Sequence, residues 1–448
     1  MKLLNLAPSS AGLLLFASAA LSVLPSITAK HANNDKRKAC QSFTGFERQN
    51  CPEGTIYVSG HDSKASFNRI QEAIDSLPKD TSPQTILVGA GSYQEQLNVT
   101  RKGPLYILGQ TEESGANQVT VYFSSGVTQN NTGGHFQGSN FDNAVTAVLS
   151  VAPSYEASLT GSGYAGAPLI TDPSQFGCSD FRMYNINLDQ RWGPTRVGPA
   201  LAVSVSYAQA SFYGVGAFGF QDTVYVGHNA SVLFLDSNIL GATDILYGFG
   251  TLWVEKSQIG SRGAGGGIVA WKGSLQPVDN LYGAYISNSH LVSSPDLEFN
   301  ITRQVALARP WNSAARAVYL HTEMEDHILP AGFVEWSSSD PRINSTLFFA
   351  EYRSQGPGFN ATARAALPAG TPLTAAPNVQ QIEHILTPDQ AEMFSIHKVF
   401  KNKLDWVDSF YDSNFPPRDA GIHHHHRHGQ PKQPDSGKMA KRTRHSKH

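Results

Sequence analysis

Hydrophobic positions follow two different periods along this chain. In "FNRIQEAIDSLP", Phe67, Ile70, Ile74 and Leu77 fall on one helical face and Pro78 follows them, which predicts a short amphipathic helix. Beyond it, helical periodicity gives way to short apolar runs: "FRMYNINL", "ASFYGVGAFGF", "SVLFLDSNIL", "TLWVEKSQIG" and "YGAYISNSHL". These runs have the length of strands, so we expect an all-β protein with a short N-terminal helix.

The spacing of these runs favours a solenoid. Between residues 210 and 251 successive strands begin about twenty residues apart, and turns with Gly, Asn and Ser link them. A parallel β-helix has one or more strands in each turn of such a repeat. An antiparallel sandwich or propeller is the alternative, but it needs Asn-Gly or Asp-Gly hairpin turns, and few stand between these strands.

Composition agrees with a turn-rich β protein. Only 16% of the 448 residues are charged, while 40 are glycine and 25 are proline. Three cysteines are too few for a disulfide scaffold. Cys40 and Cys51 are placed to close a short loop, which leaves Cys178 unpaired.

The N-terminal end is typical of an exported protein. Lys2 precedes the apolar run "GLLLFASAALSVL", and Ala29 offers a cleavage position. The run is too short for a membrane anchor, which is the alternative. Lys36 and Arg37 offer a second, dibasic processing site, unless they belong to an ordinary solvated linker. Six glycosylation sequons agree with export; their asparagines are Asn98, Asn130, Asn229, Asn300, Asn344 and Asn360.

We therefore expect four regions: a signal peptide at 1–29, a linker or pro-segment at 30–60, the β-helix domain at 61–410, and a disordered basic, histidine-rich tail at 411–448. The chain has a net charge of −2, but lysine and arginine are concentrated at its two ends, so the body between them is acidic. An acidic body argues against nucleic acid or any strongly anionic ligand as its partner, so we expect no nucleic-acid partner. We expect a secreted monomer without a membrane partner once the signal is removed.

One apolar stretch carries acidic residues that need an explanation. "GFQDTVYVGHNASVLFLDSNILGATDILYGFG" contains Asp222, Asp236 and Asp244. A carboxylate among apolar residues loses hydration and must find partners or change its pKa. Asp222 and Asp244 are about one rung apart, so a solenoid places them side by side on one outer face. Asp236 is interpreted as a turn residue at the end of a rung.

Five motifs in this order resemble the pectin methylesterase family: "GSYQE", "GFQDTVYV", "TDILYGFG", "LARPWN" and "LPAGFVEW". The resemblance extends from about Ser66 to about Trp406. It implies a right-handed parallel β-helix, in agreement with the repeat, and a pectinesterase that removes methanol from methyl-esterified pectin in plant cell walls. Glu95, in the first motif, is interpreted as a structural carboxylate that accepts backbone hydrogen bonds.

The resemblance also implies roles for individual residues. Asp244 would be the nucleophile on the methyl ester, held ionised by Arg309. Asp222 would be the general acid and then the base, because two neighbouring carboxylates push their pKa values apart. Gln221 would donate to the oxyanion, and Trp311 would pack against the sugar ring.

Phe220, Tyr247 and Trp271 complete the expected substrate-binding set. No cofactor and no metal is implied.

Two departures from the family pattern bear on activity. Pro199 stands where the family has a second oxyanion glutamine, and proline has no donor to offer. "IVAWKGS" replaces a polar run, which introduces Trp271 and Lys272. The alternative function is therefore a divergent, weak or inactive relative that binds pectin or another cell-wall polysaccharide.

Overall fold

A computed structural model describes residues 35–43, 48–112, 116–127, 142–162, 167, 169–193, 198–273 and 281–412. The expected signal peptide and almost all of the expected tail lie outside these residues. Within the described part, no helix combines the length and apolarity needed to cross a membrane.

The body consists of three parallel sheets. With strands numbered along the chain, the twelve-stranded sheet contains β1 Ile56–Val58, β2 Gln84–Val88, β5 Leu105–Gly109, β8 Phe181–Tyr184, β11 Gln209–Tyr213, β14 Ser231–Leu235, β17 Thr251–Glu255, β20 Gly283–Ser287, β23 Arg316–Leu320, β25 Phe348–Tyr352, β27 Glu383–Ile385 and β26 Ala366–Leu367. The eight-stranded sheet contains β3 Gly91–Gln94, β6 Val119–Phe123, β9 Ile186–Gln190, β12 Gly216–Phe218, β15 Asn238–Gly241, β18 Gln258–Ser261, β21 His290–Ser293 and β24 Glu323–Met324. The seven-stranded sheet contains β4 Leu97–Val99, β7 Leu149–Val151, β10 Val203–Val205, β13 Val224–Val226, β16 Leu246–Gly248, β19 Gly267–Trp271 and β22 Ala306–Pro310.

From β2 to β22, each rung visits the three sheets in the same order, twelve-stranded, eight-stranded, seven-stranded, and then continues into the next rung. In the seven-stranded sheet, for example, Val203 lies opposite Val224, and Val224 lies opposite Leu246. The prediction of a right-handed parallel β-helix is confirmed. The rung length follows from the chain needing three strands and three corners before it can pair with itself.

Stacked apolar side chains fill the interior of the solenoid. Phe212 and Phe234 occupy one position on two successive rungs, with ring centroids 4.4 Å apart. Phe181, on the rung before and opposite Ala210, packs on the Phe212 ring with centroids 5.9 Å apart. All three are fully buried. Replacing one of these rings by alanine would cost about 3–5 kcal/mol, because the neighbours on a rung ladder cannot collapse into the gap.

A single residue in the left-handed conformation forms the corner between the twelve-stranded and eight-stranded sheets. Asn185, Asp236, Lys256 and Asn288 hold this position on four rungs, with φ between 47° and 54°. Asparagine and aspartate tolerate this conformation better than other side chains. The interpretation of Asp236 as a turn residue at a rung end therefore agrees with the structure.

The predicted amphipathic helix is present as α2, Ile70–Asp75. Its first backbone amides, those of Ile70 and Gln71, donate to the two carboxylate oxygens of Glu95 at 2.9 and 3.0 Å. A carboxylate at this end satisfies donors that have no partner within the helix. The structural interpretation of Glu95 is confirmed.

Part of the region 30–60, which we expect to be a linker or pro-segment, has ordered structure. Residues 35–41 form helix α1, a disulfide joins Cys40 to Cys51, and β1 pairs with β2. The guanidinium of Arg37 packs over the Tyr184 ring at 4.5 Å, within that helix, so Lys36 and Arg37 do not lie in an open linker. Contacts with the solenoid, which local composition does not record, order these residues, and the assignment of 30–60 as a linker or pro-segment stays a prediction.

Cys178 is the cysteine left over, as expected. It is fully buried, and burial raises the pKa of its thiol to about 11. It is therefore an unreactive core residue.

The C-terminal part packs across the twelve-stranded sheet. Its helices are α4 Pro388–Glu392, α5 Ile396–Val399 and α6 Ser409–Asp412, and α3, Tyr155–Ser158, lies earlier in the chain. The Tyr184 hydroxyl donates to Asp408 Oδ2 at 2.8 Å, and the indole of Trp406 is buried. This segment covers an outer face of the solenoid that would otherwise expose aromatic rings.

Candidate active site

A second apolar cluster, separate from the interior core, lies on the outer face of the seven-stranded sheet. It contains Ala147, Leu201, Tyr225, Tyr247 and Ala270. Side chains alternate along a strand, so Tyr225 and Tyr247 face outward while their neighbours Val224 and Leu246 enter the core. The predicted polar residues lie next to this outer apolar cluster.

Asp222 and Asp244 occupy the same corner on adjacent rungs. The backbone amide of Asp222 donates to Thr243 O at 3.1 Å, and the pairing of Val224 with Leu246 sets the two aspartates opposite one another. Both have positive φ, 62° and 49°. Their exposed fractions are only 7% and 6%. The spacing of one rung therefore brings two buried carboxyl groups together, as the sequence predicts.

Arg309 binds Asp244 from two rungs further along. Its Nε donates to Asp244 Oδ1 at 2.9 Å and its Nη2 donates to Oδ2 at 2.6 Å. The other side of the guanidinium packs against the Trp336 ring at 4.3 Å. Burial opposes the charge on Arg309, but the bonds to Asp244 raise its pKa above the usual value. A bidentate pair of this kind fixes both carboxylate oxygens in one plane.

Asp222 has the opposite character. Burial raises its pKa well above the usual range, and the neighbouring charge of Asp244 raises it further, while Arg309 opposes the shift. Among the described residues, Asp244 is paired with a cation and Asp222 is not. Such a difference in surroundings can give two neighbouring carboxyl groups different chemical roles.

Asn143 is a member of this site that sequence reasoning missed. It lies on the 3-10 turn Asn143–Thr146, 79 residues before Asp222. Its Nδ2 donates to Asp222 Oδ2 at 3.0 Å and to the Tyr247 hydroxyl at 3.2 Å. No motif marks this position in the sequence; only the folding of the turn over the outer cluster brings Asn143 to the aspartate.

Two of the four expected substrate-binding aromatic residues retain accessible surface. Trp311 and Phe220 are half-buried. Trp311 packs beside Phe249, with ring centroids 5.3 Å apart, and Arg262 lies over the Phe220 ring at 5.1 Å. Phe220 is two residues before Asp222 and Trp311 is two residues after Arg309, and their role in binding a sugar ring stays a prediction.

The structure corrects the other two assignments. Trp271 is fully buried, and its Nε1 donates to Gly250 O at 3.2 Å. It points into the core because Ala270, one residue earlier, faces outward. Tyr247 is only 3% exposed and lies beneath Asn143, so it supports the site without facing solvent.

Lys272 brings a positive charge to the edge of the site. Its Nζ lies 3.8 Å from the centroid of the Trp311 ring and 4.9 Å from that of Phe249. Burial lowers its pKa, and the charge of Arg342 lowers it further. The His228 ring stacks on the other side of this group, 4.4 Å from Phe249.

The structure also places the two positions expected to form the oxyanion site. Gln221 is half-buried next to Asp222, and its backbone pairs with Thr243 of the next rung. The amide of Ala200 donates to Gln221 O at 3.0 Å, so Pro199 lies at the neighbouring position of the preceding rung. Proline adds no side-chain donor there, and the departure from the family pattern stands.

The family model described as "Pectinesterase" matches residues 163–383, a range that contains Asp222, Asp244 and Arg309. Over this range the chain is similar to the pectinesterase family. The match covers the rungs that carry the paired aspartates and the arginine.

Among relatives, this chain is 27% identical over 318 residues to probable pectinesterase A of Aspergillus niger, covering 71% of this chain and 82% of the relative. It is 28% identical over 325 residues to the pectinesterase of Aspergillus aculeatus, covering 72% and 87%.

Solved structures show the same architecture. The pectin methylesterase of Aspergillus niger superposes with a TM-score of 0.54 at 26% identity, covering 70% of this chain and 89% of that one. The pectin methylesterase from carrot superposes with a TM-score of 0.60 at 19% identity, covering 81% and 96%. The second likeness concerns the fold alone.

Proposed function

We propose that this protein is a secreted pectin methylesterase that hydrolyses the methyl esters of galacturonate residues, with Asp244 as nucleophile and Asp222 as acid and base. The observation that carries the proposal is the contrast between the two aspartates. Arg309 holds Asp244 as an oriented carboxylate, while Asp222, one rung away, is buried without an ion pair of its own within the described residues.

In the first step, a carboxylate oxygen of Asp244 attacks the carbonyl carbon of the methyl ester. As the bond to the methoxy oxygen breaks, Asp222 transfers its proton to that oxygen and methanol leaves. The products are an acyl anhydride on Asp244 and an ionised Asp222. Arg309 stabilises Asp244 before the attack and again when it departs.

In the second step, Asp222 takes a proton from water while the water oxygen attacks the galacturonyl carbon. The anhydride bond breaks, Asp244 returns to its carboxylate form, and Asp222 is again protonated. The galacturonate product leaves as an acid and ionises in solvent. The pair returns to its starting state without histidine.

The oxyanion of each tetrahedral intermediate needs a donor. Gln221 is the candidate for this role, since it is the residue beside Asp222 that the motif supplies. Pro199 removes the second donor of the family pattern. We therefore expect a turnover reduced by about a hundredfold compared with a site that has both donors.

Methyl-esterified pectin is the expected substrate, and two features of the surface fit a polysaccharide. The rings of Trp311 and Phe220 are half-buried and retain accessible surface, and aromatic rings pack well on sugar faces. Lys272 stands over Trp311 and can bind the carboxylate of a galacturonate residue that is already demethylated.

Secretion is part of this proposal. Asn98, Asn300, Asn344 and Asn360 of the sequons are exposed and open to glycosylation. The disulfide between Cys40 and Cys51 is also typical of an oxidising compartment. Together with the expected signal at 1–29, these features support an extracellular enzyme.

The second candidate function is binding of pectin or another cell-wall polysaccharide without turnover, and Pro199 is the observation that favours it. Methanol release from highly methylated pectin by the full chain separates the two. An esterase releases methanol continuously in proportion to enzyme. A binding protein sediments with pectin gels and releases none, and that result would overturn the proposed activity.

A further inference from the structure

We propose that Asn143 is a positioning residue for Asp222: it determines which oxygen of that carboxyl group carries the transferable proton, and it stabilises the carboxylate after the proton has left. The catalytic part of this inference rests on the proposed function. The inference goes beyond that function because it assigns a role to a residue that lies outside every family motif.

The contacts of Asn143 leave its amide group no freedom. The side-chain NH₂ has two hydrogens. One is donated to Asp222 Oδ2 at 3.0 Å and the other to the Tyr247 hydroxyl at 3.2 Å. Asn143 is only 3% exposed. Since both hydrogens are already used, Asn143 cannot also donate to an oxyanion, so it does not simply replace the glutamine missing at Pro199.

These contacts determine where the proton of Asp222 lies. Oδ2 accepts a hydrogen bond from Asn143, and an oxygen in that role is the carbonyl oxygen of the neutral acid. The proton is therefore on Oδ1. When Asp222 gives up this proton, the same bond from Asn143 becomes charge-assisted and stronger, so it favours the ionised product of the transfer.

The turn that carries Asn143 is held rigidly. The Asp142 carboxylate accepts from the backbone amides of Ala144, Thr160 and Gly161 at 2.8 to 2.9 Å. Such a network fixes the backbone on both sides of Asn143 and lets its side chain act as a constant donor.

The same turn is tied to the start of β10. Thr146 Oγ1 donates to Asn143 O at 2.7 Å and accepts from the backbone amide of Leu201 at 3.0 Å. Leu201 is two residues after Pro199 in the same strand entry. The site thus gains a fixed polar residue from the turn beside the very position at which the family pattern loses one.

Four titratable or charged groups surround this pair. Asp244 raises the pKa of Asp222 and Arg309 lowers it, while Tyr247 lies beneath both. Burial raises the pKa of Tyr247 well above its usual value, so its hydroxyl remains neutral. Asp142, on the turn itself, is oriented toward backbone amides and not toward Asp222.

The direction of the effect follows from these contacts. Donation by Asn143 favours the ionised form of Asp222, so removing it raises the pKa of Asp222. The first step needs Asp222 protonated, and the alkaline limb of the kcat/KM profile therefore moves to higher pH. Proton transfer to methoxide becomes harder at the same time, so kcat falls while KM does not change.

Asn143→Leu in the full chain tests this, because leucine keeps the number and branching of the side-chain heavy atoms and removes the donor. We expect kcat on highly methylated pectin to fall about ten- to hundredfold, the effect of one hydrogen bond to a charged group. KM should stay within about twofold and the alkaline limb should shift upward. Asn143→Ala serves as the second variant should leucine fold poorly.

Asn117→Leu is the matched control. Asn117 Nδ2 also makes two side-chain hydrogen bonds, to Asn187 Oδ1 at 2.9 Å and Gly214 O at 2.8 Å, but among the corners of the eight-stranded sheet. A purely structural loss lowers the melting temperature in both variants. Only loss of the Asp222 contact moves the pH profile, so this control should leave the profile unchanged.

A second measurement does not depend on turnover. Carboxyl ¹³C chemical shifts, with Asp222→Asn for assignment, give the pKa of Asp222 in the full chain. A rise in Asn143→Leu supports the inference even if the wild type releases no methanol, in which case only the proposed function fails. An unchanged pKa, or a fall, overturns the inference even in an active enzyme, because a fall means that Asn143 accepts the proton of Asp222.

Discussion

The guanidinium of Arg309 and the carboxylate of Asp244 form two parallel hydrogen bonds, Nε to Oδ1 at 2.9 Å and Nη2 to Oδ2 at 2.6 Å. A flat fork of this kind determines both the charge and the direction of the carboxylate. These two bonds orient the carboxylate at a rung corner where the backbone of Asp244 has positive φ.

Arg309→Lys should therefore lower kcat by about a hundredfold or more although the charge is retained, because lysine binds as a point charge and leaves one carboxylate oxygen free. Methanol release at saturating pectin measures the effect. The control is Arg182→Lys, since Arg182 holds Asp180 in the same bidentate geometry, at 2.7 and 2.8 Å, on the twelve-stranded sheet. That variant should lose stability and keep its turnover; equal losses of activity in both would argue against an orienting role for Arg309.

Asp222→Asn should make the protein more stable at neutral pH while removing its activity. Folding raises the pKa of Asp222. At a pH between its unfolded and folded pKa values, the folded protein keeps a proton that the unfolded chain has released, so stability falls as pH rises through that range. An amide does not titrate, so the asparagine variant has no such loss of stability. Chemical unfolding should show a gain at pH 7 that disappears below the ordinary aspartate pKa.

Asp172→Asn provides the contrast, because hydrogen bonds with Ser174 lower the pKa of Asp172 in the folded protein. This substitution should therefore destabilise the fold at pH 7. If Asp222→Asn instead lowers stability at pH 7 by a similar amount, then Asp222 is ionised and well partnered in the folded protein. It would then be unavailable as a general acid.

Lys272→Met should weaken binding of partly demethylated pectin several-fold and leave KM for highly methylated pectin within about twofold. The half-buried ammonium over Trp311 is a local cation on an otherwise acidic body, so it matters only where the substrate carries a free carboxylate. The measurement is KM against degree of methylation at low salt. Lys398→Met, at an exposed helix position paired with Glu392, is the control; equal changes in both variants would show a net-charge effect only.

Pro199→Gln should raise kcat, because it adds an amide donor beside Gln221 where the family pattern has one. The proline has no backbone N–H to lose, and its carbonyl, which accepts from Val127 N at 2.9 Å, is retained. The variant and the wild type are compared at equal folded fraction. An unchanged or lower kcat in a folded Pro199→Gln protein would mean that Gln221 alone suffices for the oxyanion.

Much of this site was accessible from the sequence because a solenoid converts linear spacing into spatial proximity. Asp222 and Asp244 are 22 residues apart, the rung has that length, and the two groups meet. Arg309, 65 residues after Asp244, was predicted from the resemblance of the "LARPWN" motif to the family and not from rung spacing.

The sequence alone did not show which face of a strand a residue points to, or which distant segments of the chain pack together. Trp271 faces the core and Ala270 faces out, and a slip of one residue reverses such an assignment. Asn143 is far from the motifs along the chain, and the order of 35–41 rests on contacts with Tyr184. None of these contacts has a local signature in composition or spacing.

The central claim is tested most directly by methanol release from Asp244→Asn, measured beside the wild type and Asp236→Asn. Asp236 also has φ of 49° at a rung corner, so both substitutions ask the same of the backbone, and asparagine tolerates that conformation. We predict release by the wild type and by Asp236→Asn, and a loss of at least about a thousandfold in a folded Asp244→Asn protein. A folded Asp244→Asn variant that releases methanol at a rate close to the wild type would contradict the account.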